Sequence, residues 1–160
     1  MATEQTLCII KPNAMKPEII GNINTMLREN GIRIVAQQCR CLTRPQARIF
    51  YAEHRNKPFF ESLVAFMASG PVFLQILEGE NAIGRYRELM GATDPAQAAE
   101  GTIRSLFGND KEANAVHGSA DGTGAKREIA FFHALAAHAR NLRLLKRAFQ
   151  QSLLVPRAPA

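Results

Sequence analysis

The six residues Asn114-Ala115-Val116-His117-Gly118-Ser119 set one imidazole between an apolar pair and a glycine, with an amide three residues before it and a hydroxyl two after. A short apolar step ending in His-Gly predicts a chain that leaves the core and stops abruptly. Glycine after the histidine permits close backbone approach or an unusual turn. The ring would then stand at the wall of a cleft, able to act as nucleophile, acid/base or ligand. Taken alone, a solitary histidine is more often a satisfied or solvated side chain. A second candidate is Lys11, which follows the apolar run Thr6–Ile10 and precedes Pro12. That places a cation at the carboxyl end of a buried strand, where open sheets present ligand-binding groups. Cys39 and Cys41 are i, i+2 on a probable strand, and no second Cys or His pair accompanies them, so zinc is a poor reading. Free core thiols, with Cys8, in a reducing compartment are the expectation.

The elements that must position these groups follow from periodicity. Thr6–Ile10 reads as a buried strand, and Ile19–Glu29 as an amphipathic helix closed by Asn30-Gly31. Ile32–Leu42 is strand-like, and Thr43 is placed to cap a helix over Arg44–Glu53. Pro58 precedes a second amphipathic helix, Phe59–Ala68, and Val72–Leu77 is another buried strand. Asn81–Leu89 reads as a helix ended by Gly91, Ala92–Gly101 as a polar loop, Thr102–Phe107 as a short helix, and Asn109–Asn114 as loop. Asp121–Gly124 is expected to turn before a last helix. Strand, helix, strand, helix, strand with further helices predicts an α+β sandwich, with helices covering a small antiparallel sheet. A ferredoxin-like split βαβ arrangement is preferred to a parallel doubly wound sheet, although periodicity alone leaves the topology open.

At 160 residues the chain fits one domain with a core that needs no disulfide or metal staple. The start of the sequence lacks a basic region followed by an apolar run, and no apolar stretch approaches the roughly 20 residues of a membrane span. A cytoplasmic location without a membrane span is the expectation. The formal net charge of +6 is unevenly placed: no acidic residue follows Glu128, whereas Arg140, Arg143, Lys146, Arg147 and Arg157 do. A nearly neutral body thus carries a basic tail.

Eight runs occur in one register over residues 4–132: Ile10-Lys11-Pro12-Asn13-Ala14, Phe50-Tyr51-Ala52-Glu53-His54, Lys57-Pro58-Phe59-Phe60, Ser69-Gly70-Pro71-Val72, Leu77-Glu78-Gly79-Glu80-Asn81-Ala82, Leu89-Met90-Gly91-Ala92-Thr93-Asp94-Pro95, Gly101-Thr102-Ile103-Arg104 and the histidine run itself. In order and spacing the chain resembles the bacterial nucleoside diphosphate kinases. The resemblance implies a ferredoxin-like core, Mg²⁺ as cofactor, a homo-oligomer (tetramer or hexamer), and nucleoside di- and triphosphates as partners. It implies transfer of the terminal phosphoryl group from a triphosphate to a diphosphate by a ping-pong route through a phosphohistidine at His117. Lys11, Arg87 and Arg104 would contact phosphates, Arg as a planar fork and Lys as a point charge. Thr93 would donate a hydroxyl to the phosphates, Asn114 would bond the sugar, and Phe59 would lie against the base, where stacking discriminates little. Tyr51, Ser119 and Glu128 would support the ring, the carboxylate orienting it. Mg²⁺ would sit on phosphate oxygens and water, so no protein metal ligand is assigned. Each residue also has a plain reading: Phe59 and Phe60 as helix packing, Arg87 and Arg104 as solvated charges, Lys11 as a strand stop, Glu128 as a surface ion pair.

The chain departs from the family pattern after the nucleophile, where His-Gly-Ser-Asp is usual and Ala120 stands here with Asp121 one place later. Lys111 occupies a position beyond the base that is commonly apolar, and Glu100 replaces a frequent proline. Residues 1–132 are read as the kinase-like domain and 133–160 as a basic amphipathic extension. In that extension Phe132, Leu135, Ala139, Leu142, Leu145 and Phe149 recur at helical spacing, with Arg140, Arg143 and Arg147 on another face. A helix packed on the body or a neighbouring subunit is the leading expectation, with nucleic-acid or membrane-surface contact the lesser one; Val155–Ala160 is expected to fray. The rival to the enzyme is a catalytically weakened nucleotide-binding module whose basic tail contacts an acidic partner.

Overall fold

In the computed structural model the described residues are 2–153, with side chains at 148, 149 and 151–153 excepted. The strands are β1 (Thr3–Ile10), β2 (Arg33–Arg40), β3 (Val72–Glu80) and β4 (Val116–Gly118), and the helices are α1 (Pro17–Glu29), α2 (Arg44–Phe50), α3 (Phe60–Met67), α4 (Ala82–Met90), α5 (Ile103–Phe107) and α6 (Gly122–Leu153). Leu7, Cys8, Ile9 and Ile10 are all fully buried, as a continuous apolar run requires when both faces of a strand are covered. β1 pairs antiparallel with β3 from Thr3↔Glu80 to Ile10↔Phe73 and, on its other side, with β4 at Ile9↔His117. With β2 outside β3, the order is β2-β3-β1-β4, the split βαβ arrangement expected.

Two cores follow from the pleat. Cys8, Ile10 and Leu77 face α1 and α4 through Ile23, Leu27, Tyr86 and Met90. Leu7, Ile9, Leu74 and Ile76 face α2, α3 and α6 through Phe50, Leu63, Met67, Phe132 and Leu135. A register shift between Ile34 and Ala36 sends these two β2 residues to opposite cores despite their even spacing.

Several boundaries differ from the sequence reading. β1 and β3 are longer than expected, extending to Thr3 and Glu80 where polar residues hide the pattern, and β2 stops at Arg40. α1 starts at Pro17, since proline suits the first turn. α2 begins as predicted, with a reciprocal Thr43–Gln46 capping box, but ends at Phe50 rather than Glu53, and Ala52–His54 form a separate 3₁₀ turn. The polar loop holds a 3₁₀ turn at Pro95–Gln97 capped by Asp94. The expected turn at Asp121–Gly124 is not a turn: α6 begins at Gly122, and the Asp121 Oδ1 accepts from Gly124 N at 2.8 Å as its cap. Core thiols describe only Cys8. Cys39 and Cys41 are exposed: the odd positions of β2 are exposed along its length, and Cys41 lies past its end. The apolar stripe of α6 packs on the body as far as Leu135, whereas Leu142 and Leu145 stay exposed. The expectations for the Phe149 side chain and for Val155–Ala160 lie outside the described residues. No described helix is long and apolar enough to cross a membrane.

Candidate active site

His117 is the middle residue of β4, and its backbone is fixed from both sides. Before it, Ala115 has φ of 72° and Val116 N bonds Asn114 O at 2.9 Å, a γ-turn that an L-residue adopts under strain. Lys11 N donates to Ala115 O at 2.8 Å and holds that turn against the end of β1. After it, a Cβ on Gly118 would stand 2.7 Å from Tyr86 Cε1 and Met90 Cε, so this glycine serves close approach. Tyr86 Oη donates to His117 O at 2.9 Å.

The ring is held as firmly. Nε2 lies 3.0 Å from Glu128 Oε2, the same oxygen that accepts from Ser119 Oγ at 2.6 Å, and Leu7 N donates to Ser119 Oγ at 3.2 Å. Phe50 and Tyr51 meet the imidazole edge-on, with centroids at 5.0 and 5.8 Å. Burial pushes the Glu128 carboxyl up. The His117 hydrogen bond and charge, the Ser119 hydroxyl and the Arg127 charge outweigh it and hold the group below the ordinary carboxylate range. An ionised carboxylate only accepts, so Nε2 must carry the proton and Nδ1 keeps a free lone pair.

Two adjoining cavities of about 520 and 480 Å³ share His54, Thr93, Arg104 and His117 on their walls. Arg87, Arg127 and Glu128 line the first; Lys11, Tyr51, Phe59, Lys111 and Asn114 line the second. Arg104 is anchored through Nη1 to Gly91 O and Nη2 to Val116 O, both at 3.0 Å. Lys11 is only 6% exposed and donates to Glu112 O at 3.1 Å. Burial and then the repulsion of Arg104 bring its ammonium down to about 8, partly opposed by Glu112 and Asp110. Such a cluster of cations around a nucleophilic nitrogen suits an anion that carries transferable charge.

Tyr51 Oη and Asn114 Oδ1 are buried without a hydrogen-bond partner among the described residues. Asn114 Nδ2 is used, donating to Thr93 O at 2.9 Å and Lys111 O at 3.1 Å, which leaves the oxygen as an acceptor. Phe59 is 48% exposed at the start of α3, against His54 at 5.6 Å, so it is Phe60 and not Phe59 that fills the core.

Thus Lys11, Tyr51, Phe59, Arg87, Thr93, Arg104, Asn114, His117 and Glu128 converge on the two cavities, and Ser119 stands fully buried behind them. The surface-pair reading of Glu128 fails, since its side chain is 3% exposed. Three contributors escape the sequence. Tyr86 reads as one more apolar helix position, with nothing to reveal that its hydroxyl reaches His117. His54 lies within a quoted run but has no partner in sequence. Arg127 donates to Phe50 O at 3.1 Å and approaches Glu53 and Glu128 Oε1 at 3.6 Å, where sequence showed only a charge beside a charge.

The sequence profile of the family described as nucleoside diphosphate kinase matches residues 4–137. The nucleoside diphosphate kinases of Wolbachia sp. subsp. Brugia malayi and of Granulibacter bethesdensis are each 55% identical over 134 residues, covering 84% of this chain and 96% of theirs. Among solved structures, the Aquifex aeolicus nucleoside diphosphate kinase superposes with a TM-score of 0.79 at 44% identity, over 82% of this chain and 95% of that one. A halophilic nucleoside diphosphate kinase from Halobacterium salinarum in complex with CDP superposes at 0.78 with 43% identity, over 82% and 88%. Identity at this level along nearly the whole length of the relatives, on a fold that superposes at TM-scores of 0.78 and 0.79, decides the matter. The chain belongs to the nucleoside diphosphate kinase family.

Proposed function

We propose that this enzyme transfers the terminal phosphoryl group of a nucleoside triphosphate to a nucleoside diphosphate by way of His117. In the first half-reaction the Nδ1 lone pair attacks the γ-phosphorus. The bond to the β–γ bridging oxygen breaks, and the diphosphate leaves with that electron pair. The proton on Nε2 stays on the ring, held by Glu128, which balances the positive charge the imidazole gains. In the second, a β-phosphate oxygen of the acceptor attacks the same phosphorus and the P–N bond breaks. Lys11, Arg87 and Arg104 counter the charge on the phosphates, with Thr93 donating to them, while Tyr51 supports the ring edge-on. Asn114 accepts from a sugar hydroxyl and Phe59 stacks on the base. The reading rests above all on one observation, the Nε2–Glu128 bond that leaves Nδ1 free in a cleft lined by Arg87 and Arg104.

Mg²⁺ belongs to the proposal as a companion of the nucleotide. The described side chains include no group of three or more His, Cys, Asp or Glu fit to hold a metal, and the second cavity sets Lys11, Arg104 and Lys111 against the single acid Glu112. The ion's octahedral oxygen shell would come from phosphates and water, where it would neutralise charge. The same reading has the enzyme act in the cytoplasm as a homo-oligomer, a tetramer or hexamer, which light scattering measures directly. The weakened-module alternative is not favoured: the shift of the acid from 120 to 121 leaves the His117–Glu128–Ser119 chain intact.

The test is brief incubation with γ-labelled ATP and Mg²⁺, followed by acid and alkali treatment. Label that is acid-labile, alkali-stable, absent from His117→Ala and discharged by added diphosphate is the expected outcome. Nucleotide binding without label on the protein overturns the proposal.

A further inference from the structure

α6 outruns the body it packs against. Ala125, Glu128, Phe132 and Leu135 are buried, but from Arg140 to Arg147 every side chain is exposed. Two surfaces emerge on this projecting part. Leu142 and Leu145, at 45% and 67% exposure, lie within about 60° of each other around the helix. Arg140, Arg143 and Arg147, at i, i+3 and i+7, share another face and line a shallow depression with Leu144. Lys146 stands between the two.

These cations are uncompensated. No Asp or Glu follows Glu128 in the sequence, and among the described residues none of Arg140, Arg143, Lys146 and Arg147 forms an ion pair. The rest of the chain is nearly neutral, so a second copy offers no matching acidic field. A nucleic acid would satisfy the arginines and leave both leucines in water. A surface that presents phosphate at its face and hydrocarbon just beneath satisfies both sets at once. We propose that residues 138–147 dock on an anionic lipid bilayer, with Leu142 and Leu145 turned toward the acyl chains. The arginine and lysine stems then reach up to the headgroup phosphates.

The test is sedimentation of the full-length protein with vesicles of phosphatidylcholine, alone or with about one-third phosphatidylglycerol. At low salt the anionic vesicles should bind at least about 10-fold more protein, an advantage that added salt removes. The pair Leu142→Ser and Leu145→Ser, and separately the triple change of Arg140, Arg143 and Arg147 to Gln, should each abolish the difference while phosphoryl transfer stays at the wild-type rate. Equal binding to both vesicles overturns the proposal, as does anionic binding that survives the leucine changes. Oligonucleotide binding in place of vesicle binding, kept by the leucine variant, assigns the arginines to nucleic acid instead. A change in molecular mass with the leucine variant, without vesicle binding, assigns the stripe to a second copy.

Discussion

Replacing Glu128 by glutamine keeps the shape of the side chain and removes its charge. The carboxylate oxygen Oε2 receives two donors, Nε2 of His117 at 3.0 Å and Ser119 Oγ at 2.6 Å. When Nδ1 bonds to phosphorus the ring becomes cationic, and the Nε2–H bond becomes a contact between charged partners. Hydrogen bonds to charged groups contribute about 1.5–3 kcal/mol, against roughly 0.5–1.5 for neutral pairs. The difference, about 1–2 kcal/mol, corresponds to a loss of roughly 5- to 30-fold in rate. The amide adds a second effect. With its oxygen toward His117, its NH₂ would face the Arg127 guanidinium, now 3.6 Å from Oε1. Donor against cation is unfavourable, so Arg127 turns the amide over and presents the NH₂ to Nε2. That arrangement moves the ring proton to Nδ1 and blocks the nucleophile, which carries the expected loss beyond about 100-fold; the analogous acid-to-amide change in the serine-protease triad lowers kcat about 10⁴-fold.

Single-turnover rapid quench, with acid-labile phosphoprotein as the readout, measures each half-reaction separately. Glu128 acts through the ring and stabilises its cationic form, so phosphorylation of the enzyme should slow more than discharge of the phosphoenzyme, with nucleotide affinity little changed. A phosphorylation rate within 2-fold of wild type would refute the assignment of the tautomer. A loss confined to KM would place Glu128 on the substrate instead.

Other perturbations probe the surrounding groups. Lys11, brought down to about 8, loses its proton as pH rises through that value, so nucleotide KM should climb above about pH 8 in wild type and stay level in Lys11→Arg; a level wild-type profile contradicts a phosphate role. Tyr51→Phe deletes a buried hydroxyl that lacks a partner among the described residues, so thermal stability should hold within about 0.5 kcal/mol while kcat/KM falls roughly 10-fold. A loss of stability with full activity would reverse that reading. Asp121→Ala removes the cap of α6 and should cost about 1 kcal/mol, a drop of about 2–4 °C in Tm by calorimetry. Glu128, held below the ordinary carboxylate range, adds stability that is fully present above that range and fades as pH falls through its lowered value. Acid melts of wild type and Glu128→Gln should therefore converge at low pH.

What could be read in advance was whatever a local pattern carries. The run from Leu7 to Ile10, the stripe from Ile19 to Leu27 and the Thr43 cap state their own structure. The eight runs in register hold seven of the residues that converge on the cavities, and Arg87 and Glu128, outside those runs, came only from the family resemblance. Strand lengths were misjudged where Thr3–Gln5 and Glu78–Glu80 look polar, because backbone pairing along β1 and β3 continues after the apolar pattern stops. Cys39 misled for a related reason: alternation says that two side chains share a face, but not whether a helix lies over it. The hydroxyl of Tyr86 and the guanidinium of Arg127 act across 31 and 77 residues of sequence, respectively, so their partners exist only once the sheet has formed.

The altered loop after the nucleophile shows why a departure in sequence need not be one in chemistry. In the proposed mechanism, what the reaction takes from α6 is one oxygen of Glu128 at the height of Nε2. The phase of the helix sets that position, and the helix takes its phase from where it starts. Asp121 fixes the start by accepting from Gly124 N, three residues on. Glu128 then follows two helical turns later, buried against β1, with Ser119 locked to Leu7 N beneath it. Ala120 lies outside this path, exposed at the rim. With the acid at 121 and not at 120, Ala120 and Asp121 both line the first cavity, and the cap stands seven residues, about two helical turns, ahead of the carboxylate. Two glycines in the first turn of α6 make that cap more necessary, since they would otherwise let the helix begin late and carry Glu128 away from the ring.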